Sequence, residues 1–328
     1  IGLTGSTVGT NYQLYLGGSP VGTPVAGTGT ALSFGLHTTT GTYTVVATNA
    51  TTGCVNNMVG SVTISVSALP TAYTVTGGGG YCFGSTGVAV GLAGSSTGVQ
   101  YQLYRGGSPV GAPLSGTGGA LSFGIQTVAG VYTVVATSVG TLCNNSMTGS
   151  VTVVVNPLPF VDTVLGGGSY CAGGTGVGLY LDSSDAGINY QLYRGTTAVG
   201  SPVAGTGSAL SFGSQTVAGT YTVKATNATT GCWSNMAGSA TVTVIALPTA
   251  YTVTGGGSYC AGGVGLPVYL TGSQFGVNYQ LYNSGSPVGS PVAGTTAAIN
   301  FGLQTAAGVY TVVATTASGG CTNSMTGS

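Results

Sequence analysis

The chain has 328 residues, of which only three are basic, three are acidic and one is histidine. Electrostatic capture of nucleic acid needs many phosphate-neutralising side chains, so this composition excludes nucleic acid as a partner. It also excludes polybasic binding to a membrane surface, and no apolar run reaches the roughly 20 residues of a membrane-inserted helix. Hydrophobic residues make up 42% of the chain and glycines number 63, while strand and turn formers dominate, so we predict an all-β fold with several small cores.

A repeat of 89 residues organises the whole chain. The motif Tyr-Gln-Leu-Tyr begins at Tyr12 and returns at positions 101, 190 and 279, each step being 89 residues. One sandwich domain of about 100 residues is the natural unit for such a period. We therefore predict four immunoglobulin-like repeats: repeat 1 (1–66, incomplete at its N-terminal side), repeat 2 (67–155), repeat 3 (156–244) and repeat 4 (245–328, lacking its last strand). Short linkers containing proline predict that the repeats form an elongated, stiff rod.

Within repeat 2 the strands follow from alternation of apolar and polar residues. The first predicted strand covers Tyr73–Thr76, and the second places Val88, Val90 and Leu92 on one face. The third predicted strand has Tyr101 and Leu103 pointing inward, while Gln100, Gln102 and Tyr104 point outward. The predicted strands end with Leu121–Phe123, with Val131–Thr137, and with Val151, Val153 and Val155. Six or seven short strands between Gly-, Ser- and Pro-rich turns predict a two-sheet β-sandwich.

The seven cysteines follow the same period. Each of repeats 2 to 4 has a first cysteine and, 61 residues later, a second one, which predicts the intradomain disulfides Cys82–Cys143, Cys171–Cys232 and Cys260–Cys321. Loops of about 60 residues would stabilise each unit by roughly 4 kcal/mol in the chain-entropy model. Cys54 is left over, and we expect it to pair outside this chain. Free thiols in a reducing compartment are the alternative, and the absence of CxxC pairs argues against a metal site.

Four complete repeats would have 356 residues, so 28 are absent, and two explanations remain open. The chain is a segment of a longer repetitive polypeptide, or a neighbouring subunit supplies the missing strands by β-strand addition. The second explanation would give a head-to-tail fibre.

Further motifs recur with the period, as repeat 3 illustrates. It contains Tyr170-Cys171, Tyr190–Tyr193, Ala218–Thr226, Cys232 and Met236–Ser239. This set resembles the tandem Ig-like or PKD-like repeats of large secreted surface proteins of Bacteroidota, including gliding-motility adhesins. The resemblance implies export to the cell surface and a role as a stalk or spacer.

The sequence contains no constellation for catalysis, so we predict no enzyme activity and no cofactor. The only neighbouring carboxylates, Asp182 and Asp185, are a weak candidate for binding Ca²⁺, together with Asp162 near a linker. Solvated loop acids are the alternative interpretation.

The surface offers two further kinds of candidate site. The outward Tyr104, Tyr193 and Tyr282 could stack on sugar rings, with cross-strand packing as the alternative. Candidate glycosylation sites are the sequons at Asn49, Asn144 and Asn227, and Thr163 in a motif resembling the O-glycosylation motif of Bacteroidota. Glycan would offset the low surface charge, which otherwise favours association.

These observations predict a structural or adhesive building block of an extracellular filament or cell-surface stalk. The expected partners are further copies of the chain or other domains of the same long chain, with surface glycans as a further class. The alternatives are a glycan-binding adhesion array and an accessory repeat region of a larger secreted enzyme.

Overall fold

The computed structural model describes residues 1–328 and contains only strands, turns and loops. Each repeat forms two sheets, and the predicted all-β, immunoglobulin-like sandwich fold is confirmed. No part of the structure forms a helix with the length and hydrophobicity that crossing a membrane requires.

Repeats 1 and 2 contribute the first sixteen strands. Repeat 1 contains β1 (Gly2–Leu3), β2 (Thr10–Leu16), β3 (Ser19–Ala26), β4 (Leu32–Ser33), β5 (Gly41–Asn49), β6 (Val55–Asn57) and β7 (Val62–Ile64). Repeat 2 contains β8 (Val75–Gly77), β9 (Gly79–Cys82), β10 (Val88–Leu92), β11 (Val99–Arg105), β12 (Ser108–Ser115), β13 (Leu121–Gln126), β14 (Gly130–Ser138), β15 (Asn144–Ser146) and β16 (Val151–Asn156).

Repeats 3 and 4 contribute the remaining sixteen. Repeat 3 contains β17 (Val164–Gly166), β18 (Gly168–Cys171), β19 (Val177–Leu181), β20 (Ile188–Arg194), β21 (Thr197–Ala204), β22 (Leu210–Gln215), β23 (Gly219–Asn227), β24 (Trp233–Asn235) and β25 (Ala240–Ile245). Repeat 4 contains β26 (Val253–Gly255), β27 (Leu266–Leu270), β28 (Val277–Asn283), β29 (Ser286–Ala293), β30 (Ile299–Gln304), β31 (Tyr310–Thr316) and β32 (Thr322–Ser324).

Repeats 2 and 3 show the complete arrangement. In repeat 3 a three-stranded sheet with the order β17-β19-β22 faces a six-stranded sheet with the order β18-β25-β23-β20-β21, in which β24 also pairs with β23. Strand β18 is parallel to β25, whereas the other pairs are antiparallel. Repeat 1 has no strand equivalent to β8 or β9, and repeat 4 has none equivalent to β9 or β16.

The core lies between the two sheets of each repeat. In repeat 3, Leu179 and Leu181 of the smaller sheet pack with Tyr190, Leu192 and Val223 of the larger one. These side chains are at most 2% exposed, which confirms the predicted alternation along the strands. Complete burial of side chains this size is the main favourable term for such a fold, at about 1.5–3 kcal/mol each.

Glycine allows the chain to pass from one sheet to the other between β17 and β18. Gly166 has φ of 93°, and a Cβ there would overlap the carbonyl oxygen of Gly178. Only glycine accepts both the left-handed backbone and this close approach. Glycine at this position therefore allows the turn that carries the chain from the smaller sheet to the larger one.

By contact density the chain divides into two compact units. The first comprises Ile1–Gly79 and Val88–Val153, and the second comprises Gly80–Gly87 and Val154–Ser328. The segment Gly80–Gly87 belongs to repeat 2 by sequence, yet it lies in the second unit with repeats 3 and 4. The four-repeat boundaries stay a prediction from sequence.

Candidate functional site

The disulfides connect successive repeats, so the predicted intradomain pairing is wrong. Cys82 is bonded to Cys232 and Cys171 to Cys321, each pair being 150 residues apart with a Cα–Cα distance of 5.5 Å. The pairs Cys82–Cys143, Cys171–Cys232 and Cys260–Cys321 are not formed, and the free cysteines are Cys54, Cys143 and Cys260. We call each observed bond a clasp.

The path of the chain explains this pairing. The first cysteine of a repeat ends a short strand, β9 or β18, which lies beside the closing strand of the same repeat. We call β9 and β18 clasp strands. The residue that follows each clasp strand continues this pairing. The amide of Phe83, after β9, donates to the carbonyl of Asn156, and the amide of Ala172, after β18, donates to the carbonyl of Ile245, both at 2.8 Å. The cysteine is thus carried along the closing strand to the boundary with the following repeat.

The receiving cysteine lies in a tight turn between two strands of the following repeat. In the turn between β23 and β24, the amide of Asn227 donates to the carbonyl of Cys232 at 2.7 Å. The side-chain oxygen of Asn227 accepts hydrogen bonds from the amides of Thr229 and Thr230, both at 2.9 Å. We call this the receiving turn. Its cysteine is 0% exposed, and the equivalent Cys321 is 1% exposed.

An open groove occurs in repeat 4 where β16 and β25 lie in repeats 2 and 3. Cavities of about 200 and 340 Å³ are lined by Gly256, Gly257, Val268, Gly308 and Tyr310. In repeat 3 the residue equivalent to Gly308 is paired with Val242, which is 1% exposed. The groove therefore has the position and the backbone edge that a β-strand requires.

Repeat 1 has a second groove at the other side of its sandwich. A cavity of about 180 Å³ is lined by residues that include Ile1, Leu3, Val45, Met58 and Val62. In repeat 2 the corresponding place beside β10 is filled by β8, whose Val75 pairs with Leu92. Both grooves therefore lie where complete repeats carry a strand.

A fourth cavity, of about 510 Å³, lies beside the Cys82–Cys232 clasp. Its apolar walls are formed by Phe83, Leu158, Val161 and Trp233. The ammonium group of Lys224 lies 4.1 Å from the centre of the Trp233 ring, a cation–π contact. The repeat pattern does not mark these residues, although Trp233 is the only tryptophan and stands where other repeats have Val55, Asn144 and Thr322.

The aspartates of repeat 3 act as hydrogen-bond acceptors within the fold. Asp182 accepts from the amide of Thr163 at 2.8 Å, and this bond lowers the pKa of its carboxyl group. Asp162 accepts from the Tyr190 hydroxyl at 3.3 Å, while burial and then the charges of Asp185 and Asp182 raise its pKa. No group of three His, Cys, Asp or Glu side chains has a metal-binding arrangement. The geometry thus gives the calcium hypothesis no support.

The three candidate stacking tyrosines are half-buried on the outer face of the larger sheets. Tyr104 lies between Pro109 and Thr133 on the neighbouring strands. Tyr193 has Ala198 and Thr222 in these places, and Tyr282 has Pro287 and Thr311. Cross-strand neighbours cover part of each ring, and the remaining part is open to solvent.

The candidate glycosylation residues lie at or near the surface. Asn49 and Asn144 are exposed, Asn227 is half-buried in a receiving turn, and Thr163 is exposed beside Asp182. The side-chain oxygen of Asn49 already accepts two backbone hydrogen bonds, as that of Asn227 does. Glycosylation at these four residues stays a prediction.

No family model matches the chain, and no curated protein matches it. Among solved structures it is similar to Sidekick-1 immunoglobulin domains 1–4, with a TM-score of 0.26 and 13% identity over 99% of this chain and 92% of that one. It is similar to the ICAM-5 D1–D4 ectodomain fragment, with a TM-score of 0.36 and 15% identity over 86% and 81%. Murine CEACAM1b gives a TM-score of 0.32 and 17% identity over 52% of this chain and 100% of that one.

Proposed function

We propose that the chain is a non-catalytic building block of an extracellular filament or cell-surface stalk, in which neighbouring repeats or subunits complete repeats 1 and 4. The main support is the tandem order of the β-sandwich repeats, because disulfide bonds join successive repeats covalently. An unpaired strand edge is a template for β-strand addition.

Two further features support an extracellular structural role. The clasps bind successive repeats covalently, and disulfides persist mainly in oxidising compartments such as the cell exterior. Only 2% of the residues in the chain are charged, so its surface has little protection against self-association, which suits a protein that assembles. A relation to Bacteroidota surface adhesins and a glycan coat belong to this proposal as well.

Electron microscopy of the native secreted material without reductant tests the proposal. We expect regular filaments whose axial repeat matches a whole number of 89-residue units. Separate thin threads without lateral or axial order would support a single long stalk. Monodisperse particles with the mass of one chain would contradict both forms of the proposal.

A second candidate function is glycan binding through Tyr104, Tyr193 and Tyr282. It is favoured by the open part of each ring on the outer sheet face, because tyrosine rings stack on the apolar faces of sugars. Retention on immobilised polysaccharide should be lost when all three tyrosines are changed to alanine. It should persist when Thr133 and Thr222, their neighbours on the adjacent strands, are changed to alanine. Equal retention of both variants would contradict this function.

A further inference from the structure

Beside the Cys82–Cys232 clasp, four side chains differ from those that stand at the equivalent positions of other repeats. They are Phe83, Val161, Lys224 and Trp233. The positions equivalent to Phe83 and Val161 carry alanine, those equivalent to Lys224 carry valine, and those equivalent to Trp233 carry valine, asparagine or threonine. All four residues lie in the second compact unit. Separate replacements that meet at one place indicate a local role that the other repeats do not share.

The clasp itself holds the two aromatic residues side by side. Phe83 directly follows Cys82 and Trp233 directly follows Cys232, and the Cα atoms of the two cysteines are 5.5 Å apart. At the Cys171–Cys321 clasp the same two positions carry an alanine and a threonine. The cavity of about 510 Å³ lies between these aromatic residues, Leu158 and Val161. We call it the clasp pocket.

The apolar walls of the clasp pocket do not bury one another. Phe83 is 68% exposed, Val161 59% and Trp233 51%. Large apolar side chains that served only to stiffen the chain would be buried against each other, whereas exposed ones that surround a concave space mark a binding site. The volume also lies within the range of about 300–1,000 Å³ that is typical of small-molecule sites.

The hydroxyl groups of the clasp pocket are already used within the chain. Ser85 donates to the carbonyl of Cys82 at 2.7 Å, and Ser234 donates to the carbonyl of Pro159 at 3.0 Å. Few donors are therefore left for the many hydroxyl groups of a sugar. The walls favour a ligand whose body is a hydrocarbon.

One cation and one amide beside the clasp pocket have no partner for their polar groups. The ammonium group of Lys224 contacts the Trp233 ring and makes no hydrogen bond or ion pair within the chain. Its neighbour across the strand pair is Asn235, which lines the pocket and whose side-chain amide makes no hydrogen bond. An ammonium group and an amide N–H₂ together are complementary to a carboxylate.

We propose that the clasp pocket binds a single-chain carboxylate of the fatty-acid class. The hydrocarbon chain lies between Phe83 and Trp233, where the apolar walls remove it from water. The carboxylate accepts hydrogen bonds from Lys224 and Asn235. This binding function is additional to the proposed structural role and does not depend on assembly.

The fluorescence of Trp233 tests the proposal, because it is the only tryptophan and lies in the wall of the clasp pocket. Unreduced full-length protein is titrated with decanoate and, separately, with 1-decanol, which has the same chain length and no charge. We expect a saturable shift of the emission to shorter wavelength, at lower concentrations of decanoate than of decanol. An emission shift that follows the protein concentration and not the ligand would mean that a second copy covers the pocket, and would overturn the proposal.

Equilibrium dialysis with radiolabelled ligands compares variants that carry the side chain of another repeat, so that each sandwich is retained. Phe83→Ala should weaken binding of decanoate about tenfold, because one apolar wall is lost. Lys224→Val should weaken it about threefold, the effect of a partly exposed ion pair, and leave binding of decanol unchanged. The matched control is Phe275→Ala, since Phe275 is an exposed phenylalanine of repeat 4 whose equivalent is Ala186, and it should change neither affinity.

Three results would contradict the proposal. One is the absence of saturable binding of decanoate to the unchanged protein. Another is an equal effect of Phe83→Ala and Phe275→Ala, which would place the ligand elsewhere. The third is an unchanged ratio of the two affinities in Lys224→Val, which would show that no carboxylate lies at this cation.

Discussion

At the residue scale, the contacts of Gln102 explain why a glutamine lies between the two buried residues of the Tyr-Gln-Leu-Tyr motif. Sequence alternation predicts that this side chain faces outward, and it does leave the core. Its Nε2 nevertheless donates to the carbonyls of Leu103 at 2.8 Å, Val110 at 3.1 Å and Gly111 at 3.3 Å. These contacts fill the β-bulge between β11 and β12. The same glutamine contacts recur in the other three repeats.

We predict that Gln102→Ala destabilises this hairpin by about 1–2 kcal/mol, since partly buried carbonyls lose their donor. Hydrogen exchange of β12 in the full-length protein should become about tenfold faster. Gln100→Ala on the same strand is the matched control, because Gln100 is exposed and should leave exchange unchanged. Equal effects of both substitutions would show that the bulge contacts contribute nothing.

The aspartates of repeat 3 predict opposite responses to acid. Burial and the neighbouring carboxylates raise the pKa of Asp162 above 3.8, so the ionised group opposes folding and its protonation favours the folded state. The Thr163 amide lowers the pKa of Asp182, so the stability it contributes is present above pH 3.8 and is lost as the pH falls through its lowered value.

We therefore expect Asp162→Asn to slow hydrogen exchange of β20 and β23 at pH 7, with an advantage that shrinks toward pH 4. Asp182→Asn should accelerate exchange at pH 7, and its effect should also shrink in acid. Exchange rates are compared after correction for the intrinsic pH dependence. If the two substitutions change stability in the same direction at pH 7, the assigned charge environment is wrong.

At the element scale, the edge of β31 differs from its equivalents in a measurable way. Strand β31 begins at Tyr310, while β14 and β23 begin two residues earlier in the repeat, where β16 and β25 pair with them. Tyr310 is half-buried, whereas Tyr132 and Tyr221 are 0% and 1% exposed. A closing strand thus both extends this strand and completes the burial of its tyrosine.

We predict that a peptide with the sequence of residues 239–245, Ser-Ala-Thr-Val-Thr-Val-Ile, binds the open groove of repeat 4. Hydrogen exchange at Gly308–Tyr310 should slow on binding, because backbone bonds like those between β23 and β25 form. Residues Gly219–Tyr221 are the internal control, since β25 already pairs with them. A peptide with Asp in place of the buried Val242 should not bind, and equal protection by both peptides would contradict the strand slot.

The elements themselves were largely predictable, and the reason is local. Alternation of buried and exposed residues specified most strand cores, including Tyr101, Leu103, Tyr132 and Val134, because the side-chain period of a strand is two. The clasp strands were not predicted. They are short and rich in glycine, and their position depends on the closing strand, which lies about 70 residues away in sequence.

At the scale of the whole molecule, periodicity itself hides the disulfide pairing. A first cysteine is followed by a second one after 61 residues and again after 150, because the two separations differ by one repeat. Sequence spacing therefore cannot distinguish a bond within a repeat from a bond between repeats. The three-dimensional path of the chain distinguishes the two kinds of bond. Strand β18 runs parallel to β25 and so brings Cys171 toward the next repeat.

The clasps also change what a disulfide does for this chain. A loop of 150 residues gives about 5 kcal/mol in the chain-entropy model. Since each bond joins two repeats that have their own cores, this stabilisation acts on the junction between them more than on either sandwich. Loss of the Cys171–Cys321 bond should thus expose the linker at Leu247-Pro248 while leaving the cores of repeats 3 and 4 folded.

Cyanogen bromide cleavage without reduction separates the two pairing schemes. Clasps between repeats should hold fragments 59–147, 148–236 and 237–325 together as one species, because Cys82–Cys232 joins the first two and Cys171–Cys321 the last two. Pairing within repeats would keep each bond inside one fragment, so that three separate species appear. Reduction before cleavage is the control, since it should release all three under either scheme. Three separate fragments from the unreduced protein would overturn the clasps.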